Sequence, residues 1–126
     1  MTTATPQPET RAYGLGELIR AHRLYIGLPQ RDMARRLEFD RRDYQRIENG
    51  QNACPVGFLS RVEALSDQFA HDVETLLDEA DRRGGLALSY PETDEWERLV
   101  AGRAAVETAE DAPITLTIVG KLERSA

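Results

Sequence analysis

A chain of 126 residues with 40% apolar side chains suffices for one ordinary domain, or a small domain with an appendage, and no apolar run approaches the roughly 18 residues of a membrane span. A single cysteine, Cys54, excludes an internal disulfide, and with only two histidines beside it a protein-only zinc site is not expected. The net charge of −6 counts against a nucleic-acid binder until its distribution is read: residues 1–54 carry nine Arg and seven acids, whereas residues 55–126 carry fifteen acids against six Arg and Lys121.

The opening MTTATPQPETRA is polar and has no apolar centre, so residues 1–12 read as a disordered arm and not as a secretory signal. Without a signal or a disulfide, the expected compartment is the reducing cytoplasm. A first helix is predicted from about Leu15 to Ile26, with Leu15, Leu18, Ile19, His22 and Ile26 at helical spacing and Gly27 closing it. Pro29 suits the first turn of a second helix, whose inner face is Met33, Ala34 and Leu37. Glu38-Phe39 make a corner. Asp40 is a good N-cap for a third helix, Arg41 to Asn49, which Gly50 ends.

Pro55 reads as another first-turn proline, opening one long helix that runs to Arg83. Phe58, Leu59, Val62, Leu65, Phe69, Val73, Leu76, Leu77 and Ala80 give it one apolar stripe. That stripe outlasts what a small front domain can cover, so part of it should pack on the tail or on a second copy. Gly84-Gly85 break the helix, and Leu86 to Tyr90 read as a short strand. Thr93 or Asp94 caps a further helix with Trp96, Leu99, Val100, Arg103 and Val106 on one side. Ile114 to Val119, β-branched almost throughout, is the clearest strand. A helical crossover of this size makes the two strands parallel.

The stretch Gly27 to Gly50, GLPQRDMARRLEFDRRDYQRIENG, thus places two short helices about a tight corner. On the second of them Tyr44 and Ile47 point inward, which leaves Arg41, Arg42, Gln45 and Arg46 on the outer arc. A planar guanidinium meets O6 and N7 of guanine together, and a glutamine amide does the same at adenine. Asp43 can orient an arginine, accept from cytosine, or simply complement the helix dipole. Taken alone, an arginine-rich helix face is more often solvated surface than a reader of bases. Glu48 reads as structural, pairing with an arginine or with the following loop. Tyr44 reads as core, with a hydroxyl within reach of a phosphate. His22 reads as a packed, hydrogen-bonded histidine, His71 as solvated, Cys54 as a small loop residue and Trp96 as the anchor of the tail.

The same segment resembles the phage repressor and Cro type of helix-turn-helix. That pattern runs Leu-Ser-Gln-x-x-Leu-Ala-x-x-Leu-Gly-Val-Ser and then x-x-x-Ile-Ser-x-Ile-Glu-x-Gly. The gapless match here is Leu28, Pro29 and Gln30, then Met33, Ala34 and Leu37, then Glu38, Phe39 and Asp40, then Tyr44, Gln45, Ile47, Glu48 and Gly50. Leu15-Gly16-Glu17 with Ile19-Arg20 fits the first helix of the family, so the resemblance spans about Leu15 to Leu65. Glu38 stands where the family has glycine, which requires a left-handed residue or a different turn. Pro29 replaces the usual Ser or Thr. The phase of Phe58 and the strand-helix-strand tail look more like the branch that includes anti-CRISPR-associated autorepressors.

The resemblance implies sequence-specific binding of double-stranded DNA, with bases contacted from Arg41, Arg42, Gln45 and Arg46. It gives Gln30 a phosphate contact, with Arg31, Arg35 and Asn52 as secondary phosphate candidates. The expected architecture is mainly α: an N-terminal helix-turn-helix domain with the long helix over residues 13–83, and a strand-helix-strand dimerisation element over 84–126. A homodimer is expected because two strands alone leave open edges. The alternative is a protein-interaction module, an antitoxin or phage adaptor, whose acidic long helix and tail bind another protein. No nucleophile, metal triad or glycine-rich phosphate loop accompanies the acids Glu92, Asp94, Glu95 and Glu97, so neither catalysis nor a cofactor is expected.

Overall fold

The computed structural model describes residues 14–119; the N-terminal arm expected over 1–12 lies outside them. In chain order the elements are α1 (Gly16–Ile26), α2 (Gln30–Arg36), α3 (Arg41–Glu48), α4 (Phe58–Arg83), β1 (Leu86–Tyr90), α5 (Glu95–Glu107) and β2 (Ile114–Ile118). The chain is mainly helical and divides into two compact units, one through Asp67 and one from Gln68 onward.

In the first unit α1 and α2 each pack on α3. Ile19, Met33, Tyr44 and Val62 are fully enclosed, and Ile26, Leu28, Ala34, Leu37, Ile47 and Phe58 nearly so. Gly27 closes α1 in the left-handed region, at φ 100°. The corner between α2 and α3 is made by Glu38, the only non-glycine residue with positive φ (54°) among the described residues. It is held from outside the two helices, because the Arg61 guanidinium donates to the Leu37 carbonyl. Phe39, next in line, packs its ring 4.9 Å from that of Phe58. Asp40 caps α3 by accepting from the Asp43 amide at 3.0 Å. His22 Nδ1 and Ser66 Oγ share a 2.6 Å hydrogen bond, so this histidine is spent on packing.

Three expectations shift. Pro29 is extended (ψ 160°) and sits one position before α2, whose first residue is Gln30. Pro55 lies outside α4: its carbonyl accepts from the Phe58 amide across a turn in which Gly57 takes φ 83°, and the helix begins only at Phe58. Leu18 is exposed, because α1 is turned so that Gly16 lies against α3. A Cβ at Gly16 would come within 2.5 Å of the Ile47 carbonyl oxygen and 2.6 Å of that of Glu48. Only a glycine lets the two backbones approach so closely.

In the second unit β1 and β2 pair in parallel from Leu86 opposite Ile114 to Tyr90 opposite Ile118, with α5 packed on both. Asp94 caps α5. Trp96 anchors the unit: its ring meets Phe69 edge-on at 5.7 Å and its Nε1 donates to Asp72 Oδ2 at 2.9 Å. The later part of the α4 stripe is therefore covered by the tail of the same chain. Val106 is exposed, contrary to the face expected for α5, because the buried arc runs through Trp96, Val100, Ala101 and Ala104.

Candidate nucleic-acid interface

The third helix owes its orientation to its inner residues. Tyr44 and Ile47 are buried in the first unit, and so is Glu48. Burying a carboxylate is costly unless it is paired and its lone pairs are used. Here each oxygen of Glu48 receives two donors. Arg23 Nε reaches Oε2 at 2.7 Å and Arg23 Nη2 reaches Oε1 at 3.1 Å, a bidentate pair. Tyr44 donates its hydroxyl to Oε2, and Gln30 Nε2 donates to Oε1 at 3.0 Å. The remaining terminal nitrogen of Arg23, Nη1, donates to the Leu28 carbonyl at 3.1 Å. Among the described residues no buried side-chain nitrogen or oxygen lacks a partner.

Burial pushes the Glu48 carboxyl up, but the hydrogen bonds from Arg23, Tyr44 and Gln30, together with the Arg23 charge, outweigh it and the net shift is downward. The Tyr44 hydroxyl is driven far above its usual range, first by burial and then by the carboxylate it faces. It stays protonated and points inward, so its reach toward a phosphate, open on the sequence, is closed.

With that side pinned, the opposite side of α3 is left to solvent. Arg41, Arg42, Gln45 and Arg46 are all exposed. Arg41, Arg42 and Gln45 form no ion pair or side-chain hydrogen bond among the described residues. Arg46 lies 4.0 Å from Asp43, one turn back, with its side chain 53% exposed. Exposed pairs of this kind are worth well under about 1 kcal/mol. Four side chains able to make forked contacts therefore stand on one accessible face with little to hold them to the protein.

The expected phosphate residues are spread more widely. Gln30 lines a polar cleft of about 630 Å³, together with Gly16, Glu17, Arg20, Glu48, Asn49 and Gln51. Arg31 and Arg35 do not line this cleft, and both face Asp32. Arg31 stands 3.8 Å from it and Arg35 is bonded to it. That shared acid offsets part of their charge. Asn52 is half-buried in the loop after α3, where its backbone N–H donates to the Arg46 carbonyl at 3.1 Å.

Sequence reasoning gave no site role to Arg23, or to Arg20, which lines the cleft. Arg23 is 25 positions from its carboxylate. The available signal was Glu48 itself, an acid one turn after Tyr44 on an inward-facing stripe, which calls for a buried cation. Among the described residues no group of His, Cys, Asp or Glu could hold a metal ion, and no helix is long and apolar enough to cross a membrane.

Among known families, the one described as helix-turn-helix domain matches residues 14–78, just over half of the chain. No curated protein and no solved structure gives a significant match.

Proposed function

Since this chain belongs to the helix-turn-helix domain family, a family of DNA-binding domains, we propose that it is a dimeric transcriptional repressor that reads an inverted repeat in double-stranded DNA. The observation that carries this reading is the two-sidedness of α3: Tyr44, Ile47 and Glu48 fix one side, and Arg41, Arg42, Gln45 and Arg46 project from the other. In this account those four residues contact base edges, where each good forked contact discriminates by about 1–3 kcal/mol. Gln30 contacts a phosphate beside the polar cleft, and Arg31, Arg35 and Asn52 make secondary backbone contacts. Placing the chain with the phage repressor and Cro type rests on the motif residues of α2 and α3.

Dimerisation is assigned to the C-terminal element. β1 and β2 form a sheet of two strands only, among the described residues. Such a sheet has two open edges and is marginal by itself. Leu116 remains 41% exposed beside an apolar groove of about 300 Å³ that Tyr90, Leu99 and Ile118 also line. A second copy docking here would cover the groove and extend the sheet.

The reading is tested by selecting duplexes from a random pool with the full chain. The expected product is an inverted repeat whose half-sites lie about one helical turn apart, roughly 34 Å. A selected site without two-fold symmetry would remove the dimer from the account, and no enrichment at all would remove DNA as the ligand.

A second reading, an antitoxin or phage adaptor acting through a protein partner, draws on the outer side of α4. Glu74, Asp78 and Asp81 are exposed there and have no partner among the described residues. Stoichiometric co-purification of another protein would favour it.

A further inference from the structure

Gln30 and Glu48 begin and end the pair of short helices, and one hydrogen bond joins them: Gln30 Nε2 donates to Glu48 Oε1 at 3.0 Å. We propose that Glu48 is a positioning residue for DNA binding, which sets the Gln30 carboxamide with its nitrogen toward the carboxylate and its second N–H left for a phosphate, while Arg23 holds Glu48 in place. The proposal rests on the reading of Gln30 as a phosphate contact.

The chemistry allows only one orientation of the amide. An ionised carboxylate accepts and cannot donate. If the Gln30 amide flipped, its carbonyl oxygen would face Glu48 Oε1, acceptor against acceptor. The Nε2 side is therefore kept toward Glu48, and one of its two hydrogens is used there. The other is available to an acceptor in the cleft that Gln30 and Glu48 line together with Gly16, Arg20 and Gln51.

Arg23 completes the device in two ways. Its bidentate contact leaves Glu48 no freedom to turn away, since both oxygens are engaged. Its charge also cancels that of a carboxylate which would otherwise repel a phosphate entering the cleft. The glutamine side chain thus loses its rotamer freedom on folding and has less to lose on binding. Because Glu48 is the last residue of the helix whose outer side faces bases, the same contact fixes the backbone anchor in register with the base-reading residues.

The test has two arms, both on the full chain. In the free protein, labelled with ¹⁵N, exchange of the two Gln30 side-chain hydrogens is compared with that of Gln51, which is exposed. One Gln30 hydrogen protected relative to both of Gln51 is expected; equal exchange would overturn the clamp, and this arm needs no variant to fold. In the second arm, affinity for the selected duplex is measured for Gln30→Ala, Glu48→Gln and the double variant, with folding checked by amide dispersion. Gln30→Ala is expected to lose about tenfold, the scale of one hydrogen bond to a charged group. Glu48→Gln should lose several-fold, and the double variant no more than Gln30→Ala alone. Losses that multiply would show that Glu48 acts on stability only and would overturn the positioning role, leaving the DNA reading intact. A Gln30→Ala variant with unchanged affinity would overturn both the phosphate contact and the proposal built on it.

Discussion

At the scale of single residues, the first unit turns on a buried charge. Glu48, with its side chain 1% exposed, is tolerable only because Arg23, Tyr44 and Gln30 converge on it. Removing one partner from a buried pair of this kind typically costs about 3–5 kcal/mol. The net downward shift of its carboxyl makes this stabilisation pH-dependent, with a definite sign. The folded state favours the ionised form, so the contribution is complete above the ordinary glutamate value of the unfolded chain and is lost as pH falls through the depressed folded value. Denaturant midpoints should therefore fall as pH is lowered from about 5 toward 3, and Glu48→Gln should flatten that fall. Parallel profiles for the two proteins would contradict the assignment. The adjoining Arg42 and Arg46 face no such demand and are exposed, which is what a side chain kept for an external partner requires.

At the scale of elements, the corner between α2 and α3 stores a cost that the sequence announces. Glu38 occupies the left-handed region at φ 54°, where an L-residue with a Cβ is disfavoured by roughly 1–2 kcal/mol. Replacing it with glycine removes that strain but adds unfolded-state entropy of about 0.5–1 kcal/mol. Glu38→Gly is expected to raise the melting temperature by a few degrees with the exposed side of α3 unchanged; a fall would mean that the Glu38 side chain contributes more than the strain costs. The limits of α3 were legible because Asp40 and Gly50 act locally, one as a side-chain acceptor and one as a left-handed residue. The start of α4 was not. Proline suits both a first helical turn and the turn before a helix, and Gly57 at φ 83° decides between them. One residue on each expected face, Leu18 in α1 and Val106 in α5, was misjudged, and for one physical reason. Periodicity was weighed by bulky apolar residues, whereas the actual contacts run through small ones, Gly16 in α1 and Ala101 and Ala104 in α5. Small residues bury little area yet let helices approach closely, so they turn a helix without announcing it. The parallel pairing of β1 and β2, by contrast, followed from the length of the connection alone.

At the scale of the whole molecule, charge follows chain order. The basic excess lies in residues 1–54, which contain α3, and the acidic excess lies beyond. That division was visible in composition, and the helix-turn-helix in the spacing of its motif residues from Gly27 to Gly50. The carboxylate network was not, because its members come from three helices and spacing along the chain does not report contacts between them. The measurement that bears most directly on the central claim is a mobility shift on the selected duplex with Arg42→Ala plus Arg46→Ala, alongside the unmodified chain. The account predicts loss of specific binding, by two contacts of about 1–3 kcal/mol each, with the circular dichroism spectrum and melting temperature retained, because both side chains are exposed. Unchanged affinity in a folded double variant would contradict it and remove α3 as the reader.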